Sequence, residues 1–112
     1  MQKIAIPANE GILSVHFGHS QEFIIYDVEE NKNIRSKSSL NPPPHEPGLL
    51  PRWLGEQDVT DVIAGGMGQR AIQIFNDNHI NVYVGAPEEP ADDLIRKFLD
   101  GNLVTRANLC HH

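Results

Sequence analysis

Three glycines fall within four positions at Gly65, Gly66 and Gly68, inside the stretch "DVIAGGMGQRAIQIF". An apolar run breaks there and resumes with apolar residues at helical spacing, so the glycines stand where a strand hands over to a helix. At that place backbone N–H groups and the positive end of the helix converge on any ligand beyond the strand, and the chemistry they favour is anion binding. Without side chains the glycines let a ligand approach the backbone; Met67 adds a soft thioether and Arg70 a cation in the first helical turn. The competing structural reading is that the glycines merely allow a tight turn and close helix-to-strand packing. A second ligand reading lies in the same letters, because Gly66, Gly68 and Ala71 match G-x-G-x-x-A, with Glu88 about 20 residues further on. That pattern points to a nucleotide, but a dinucleotide site normally takes two β-α-β-α-β halves, and the strands before this loop read as a hairpin.

Candidate metal ligands lie elsewhere. "SVHFGHS" sets His16 and His19 around Phe17 and Gly18, "LNPPPHEPG" carries His45 in a rigid proline tract, and the chain ends "NLCHH". Cys110, His111 and His112 offer a thiolate and two imidazoles suited to copper, iron or zinc. Each has a plain alternative: a histidine that caps a turn, a free chain end, or, for the last two histidines, part of an expression tag.

The elements that must position these groups follow from periodicity. "KIAIPA" (3–8) and "EFIIYDV" (22–28) read as strands, and "IRSKSS" reads as a polar edge strand forming a hairpin with the second. "LLPRWLGEQ" reads as a short helix with Leu50, Trp53 and Leu54 on one face and Gly55 as its C-terminal cap. "DVIAGG", "GQRAIQIFND" and "INVYVGA" form a β-α-β unit, with Ala71, Ile72 and Phe75 buried and Val82 and Val84 facing one way. In "PEEPADDLIRKFLDG", Ala91, Leu94, Ile95, Phe98 and Leu99 make the stripe of a helix ended by Gly101. The order β-β-β-α-β-α-β-α gives an α/β fold with a mixed sheet of about five strands and helices on both faces. Asp27 and Asp61 read as turn and edge residues.

Composition narrows the function. The 112 residues suit one domain, expected over 1–105 with a C-terminal tail over 106–112. No apolar stretch approaches a membrane span, the N-terminus lacks a signal peptide's apolar region, and the single cysteine suits a reducing compartment, so a cytoplasmic protein is expected. A formal charge of -6 opposes general binding to nucleic acid.

In these segments the chain resembles the dinitrogenase iron-molybdenum cofactor biosynthesis family from end to end. The resemblance rests on "IAIPA", "SVHFGHSQEFIIYDV", "PPPHEPGLLPRWLGEQDVTDVIAGGMGQRAIQIF", "INVYVGA" and the Cys-His tail, in family order; "GGMGQRAIQIF" and "HFGHS" are its most specific pieces. It implies a ribonuclease H-like three-layer α/β/α fold and a carrier or scaffold, not an enzyme. The implied cargo is a molybdenum-containing metal-sulfur cluster: iron-molybdenum cofactor or a precursor, or the molybdenum-copper sulfide cluster of the orange-protein branch. A preassembled cluster suits a chain without the four-cysteine sets of iron-sulfur proteins.

On that resemblance Gly65, Gly66, Met67, Gly68, Arg70 and Phe17 are expected at the cluster. His16 is the first choice of metal ligand, followed by His45 and Cys110. His19 and His79 are left as structural or surface residues. Donor or acceptor proteins are the implied partners, and a monomer or weak dimer is expected. A ribonuclease H-like nuclease would need a carboxylate on the first strand, which "KIAIPA" lacks. A partner-binding module with a vestigial site is the remaining alternative, and no nucleophile-base-orienter set can be read.

Overall fold

The computed structural model describes residues 2–15, 17, 20–43, 49–103 and 105. Six strands, β1 (Gln2–Asn9), β2 (Ile12–Leu13), β3 (Glu22–Val28), β4 (Ile34–Leu40), β5 (Asp61–Ile63) and β6 (Asn81–Tyr83), form one sheet. Three helices, α1 (Leu49–Glu56), α2 (Gln69–Asp77) and α3 (Ala91–Leu99), pack on it. The main strand order is β4-β3-β1-β5-β6, with β2 paired to β1 off this path. β1 is antiparallel to β3 and parallel to β5, and β5 is parallel to β6, so the sheet is mixed as expected.

Alternation along the strands builds the two faces. Ile4, Ile6 and Ala8 of β1 join Ile24, Tyr26 and Val28 of β3 in one apolar cluster with Ala91, Leu94 and Ile95 of α3. Ala5, Phe23, Ile25 and Val62 point the other way, against Leu50 and Leu54 of α1 and Phe75 of α2. Each of the large side chains closed off in these clusters contributes about 1.5–3 kcal/mol by leaving water. α3 is further stapled to the β3–β4 hairpin: Tyr26 Oη donates to Asp92 Oδ1 at 2.6 Å, and Lys37 Nζ lies 2.9 Å from the same oxygen.

The sequence reading needs four corrections here. The two-residue β2 is an added strand, too short to show a period. Gly55 lies inside α1, which ends one residue later, and the reversal is made by Asp58 at φ 63. "DVIAGG" and "INVYVGA" form shorter strands, although Ala64 N–H still donates to Tyr83 O and Gly85 N–H to Gly65 O beyond them, both at 2.8 Å. Asp27 and Asp61 are neither turn nor edge residues: Asp27 lies on β3 between β1 and β4, and Asp61 opens β5 between β1 and β6, 1% exposed. Asp61 is tolerated there because the side chains of Gln2, Thr60 and Asn81 all donate to its carboxylate.

Gly101 does end the last helix, at φ 77, with Asn102 N–H reaching Lys97 O and Gly101 N–H reaching Phe98 O. Among the described residues no helix is long and apolar enough to cross a membrane.

Candidate functional site

The chain leaves the carboxyl end of β1 toward β2 and β3, but leaves that of β5 through α2 toward β6 on the opposite side. Adjacent parallel strands whose connections diverge create the place where ligands gather in open α/β sheets. The described residues at this place are Gly65–Gly68 from the end of β5, Ser14, Val15 and Phe17 after β2, and Gly85–Ala86 after β6.

The three segments are closely fitted. A Cβ built on Gly65 would stand 3.2 Å from Val15 Cα, 3.3 Å from Leu13 Cδ2 and 3.6 Å from Ala86 O. A side chain at this position would force the Val15 backbone and the Leu13 side chain to give way. Gly65 O accepts from Gly85 N–H at 2.8 Å, with Gly85 at φ 83, and Gly66 O accepts from Phe17 N–H at 3.3 Å. Ser14, 5% exposed, is held through its N–H to Pro7 O at 2.9 Å.

Past this junction the loop enters α2. Gly68 is the N-cap of α2 and makes no side-chain cap hydrogen bond, so the helix start carries no side-chain acceptor of its own. Among the described residues nothing accepts from the N–H groups of Gly68, Gln69, Arg70 or Ala71. Arg70 is exposed and forms no ion pair with a described residue. An unfilled helix start with a cation beside it favours an anion.

Of the residues expected here, Gly65, Gly66, Gly68 and Arg70 are brought together on this loop and helix start. Met67 belongs to the same loop, but it is 1% exposed and packs in the core cluster under α1 and α2. Phe17 is 6% exposed, with its ring edge-on to both Phe23 and Phe75. His16, His45 and Cys110, with His19, His111, His112 and residues 44–48 of the proline tract, lie outside the described residues. Among the described residues no group of three or more His, Cys, Asp or Glu is placed to hold a metal. His79 is exposed at φ 61 in the turn after α2, at the opposite end of that helix from the glycines.

Gly85 and the 14–15 backbone were not foreseen as parts of the site. "VGA" shows the glycine, but its partner Gly65 is visible only once β5 and β6 are paired. The nucleotide pattern finds its strand-loop-helix context at Gly66–Ala71. Its acidic residue, however, is exposed beyond the end of β6, and the antiparallel β3–β4 hairpin takes the place of a second β-α-β half.

Comparison with known proteins gives a consistent picture. The model of the family described as "Dinitrogenase iron-molybdenum cofactor" matches residues 1–101. The uncharacterised protein MJ0580 of Methanocaldococcus jannaschii is 29% identical over 107 residues, covering 92% of this chain and 90% of its own. The crystal structure of PH0822 superimposes with a TM-score of 0.88 at 30% identity, over 95% of this chain and 96% of that one. The apo form of the orange protein from Desulfovibrio gigas has the same fold, with a TM-score of 0.76 at 20% identity over 96% and 95% of the two chains.

Proposed function

Because the chain belongs to the dinitrogenase iron-molybdenum cofactor family, we propose that it binds a molybdenum-containing metal-sulfur cluster at the glycine loop and carries it between proteins. The observation that carries this reading is the start of α2, where no described residue accepts from the first-turn N–H groups, with Gly68 as a side-chain-free N-cap and Arg70 beside it. Sulfide-bridged molybdenum clusters are anions, and convergent N–H groups with one cation hold an anion against the field of an acidic protein.

In this reading Gly66, Gly68 and the first-turn N–H groups meet the cluster, and Arg70 supplies charge. Gly65 closes the site from behind, and Met67 and Phe17 support it from the core. His16 is the first side-chain ligand to a metal, with His45 and Cys110 next, because imidazole and thiolate suit copper and iron. The protein acts without catalysis on a ribonuclease H-like scaffold, in the cytoplasm. A donor protein loads it and an acceptor protein unloads it; the cargo is iron-molybdenum cofactor, a precursor, or a molybdenum-copper sulfide.

The test is anaerobic purification of the untagged protein, metal analysis, and absorption titration with tetrathiomolybdate, with and without Cu(I). Saturable charge-transfer bands at fixed stoichiometry, weakened in His16→Ala and in Arg70→Glu, are the expected result. No bound metal and no spectral response to either titration would reject the molybdenum-copper sulfide reading; a lack of uptake of isolated iron-molybdenum cofactor as well would reject carriage altogether.

A further inference from the structure

We infer that Phe17 is a positioning residue for this site, acting through the glycine loop instead of touching the ligand. The inference rests on the reading of the loop as the binding element and adds what holds that element in shape.

A loop with three glycines in four positions has little shape of its own, because glycine peptides rotate at small steric cost. Its N–H groups can face one ligand only if something outside the loop fixes them. The sheet fixes Gly65 through Gly85 N–H. The next peptide is fixed by Phe17, whose N–H donates to Gly66 O at 3.3 Å. Because the peptide is planar and trans, directing the Gly66 carbonyl toward Phe17 turns the Met67 N–H to the opposite side.

Phe17 can do this because it is itself pinned. Its ring lies 5.6 Å from Phe23 of β3 and 5.6 Å from Phe75 of α2, edge-on at 68° and 79°. Its carbonyl accepts from Ser20 Oγ at 3.2 Å. Between β2 and β3 it is the one described residue with a buried apolar side chain. Phe17 therefore links the sheet, α2 and the loop that starts α2. Fixing the loop before the ligand arrives removes an ordering cost from binding, and such pre-organisation appears as affinity.

Phe23→Leu separates positioning from mere core packing, since Phe23 belongs to the same aromatic cluster but makes no hydrogen bond to the loop. Amide hydrogen exchange of residues 66–70 in the ligand-free protein and tetrathiomolybdate titration are compared for the wild type, Phe17→Leu, Phe17→Ala and Phe23→Leu. We expect Phe17→Leu to speed exchange at 66–70 and to weaken binding by about tenfold, while Phe23→Leu, at a similar loss of global stability, stays within about twofold of wild type. Phe17→Ala should go further in the same direction, and Phe17→Leu carries the test if the alanine variant does not fold. Equal effects of Phe17→Leu and Phe23→Leu on loop exchange and affinity would overturn the inference. If the wild type binds no tetrathiomolybdate, the proposed cargo is in question, and the exchange data alone decide whether Phe17 holds the loop.

Discussion

Asp61 and Asn81 face each other across the parallel strands β5 and β6, with Asn81 Nδ2 3.0 Å from Asp61 Oδ1. Thr60 Oγ1 donates to the other carboxylate oxygen at 2.8 Å and Gln2 Nε2 at 3.2 Å. Three donors on one buried acid make the acid hard to replace. Asp61→Asn turns one acceptor into a donor facing donors, and the expected loss is about 1–3 kcal/mol. Urea unfolding measures it as a lower midpoint at unchanged slope. An unchanged midpoint would mean that the carboxylate is not the hub of this cluster.

Two glycines should respond oppositely to alanine. Gly55 lies within α1, where a Cβ meets nothing nearer than Ile80 Cδ1 at 3.9 Å, so Gly55→Ala should stabilise by up to about 1 kcal/mol. Gly65→Ala drives a methyl into Val15 Cα at 3.2 Å and should cost about 1–3 kcal/mol. Thermal unfolding of both variants checks the contrast, and equal shifts would contradict the fitted junction described at Gly65.

His79 stops α2 in a left-handed conformation at φ 61, with Ile80 N–H returning to Phe75 O and His79 N–H to Asn76 O. This is the position where glycine carries no Cβ penalty. His79→Gly should raise stability by about 0.5–1 kcal/mol, less whatever the unfolded glycine gains in entropy. A lowered melting temperature would assign the imidazole a stabilising contact of its own.

Alkaline pH should destabilise the fold through its tyrosines. Burial, then the hydrogen bond to Asp92 and that residue's charge, push the Tyr26 hydroxyl well above its ordinary pKa of 10.0. Tyr83 is raised as well, by burial first and by the charge of Asp61. Above pH 10 the unfolded chain therefore loses protons that the folded chain keeps, so stability is full below that pH and falls as pH rises. Tyr26→Phe should flatten this alkaline limb in unfolding experiments between about pH 9 and 11. An unaltered limb would mean that Tyr26 is not the group responsible.

Periodicity carried most of the fold. The stripe from Ala91 to Leu99, the alternation of Ile4, Ala5 and Ile6, and the hairpin around β3 are local patterns, and local patterns are visible in one dimension. Asp61 reads as an edge residue because a charge at a strand start looks like one until Gln2 and Asn81, distant in sequence, join its neighbour Thr60 as donors. The glycine loop is legible as a feature, but its tight fit is not, since Val15 and Gly85 reach it from the connections after β2 and β6. Phe17 is expected at the cluster on the family resemblance alone, and its burial against Phe23 and Phe75 is not legible, because "SVHFGHS" has no period to say which side chain turns inward.

The central seam of the sheet has a kinetic meaning. β1 joins β3 through a short connection, whereas its junction with β5 brings together Lys3 and Thr60, 57 positions apart. Closing the longer loop costs more chain entropy, so the antiparallel half should assemble first and the parallel half dock onto it. The glycine loop belongs to the late half, and its anchor Phe17 lies between two strands of the early one. The fit of the loop against Val15 and Phe17 therefore comes into being only when the halves meet, and because both apolar clusters cross the seam, the junction and the core form together.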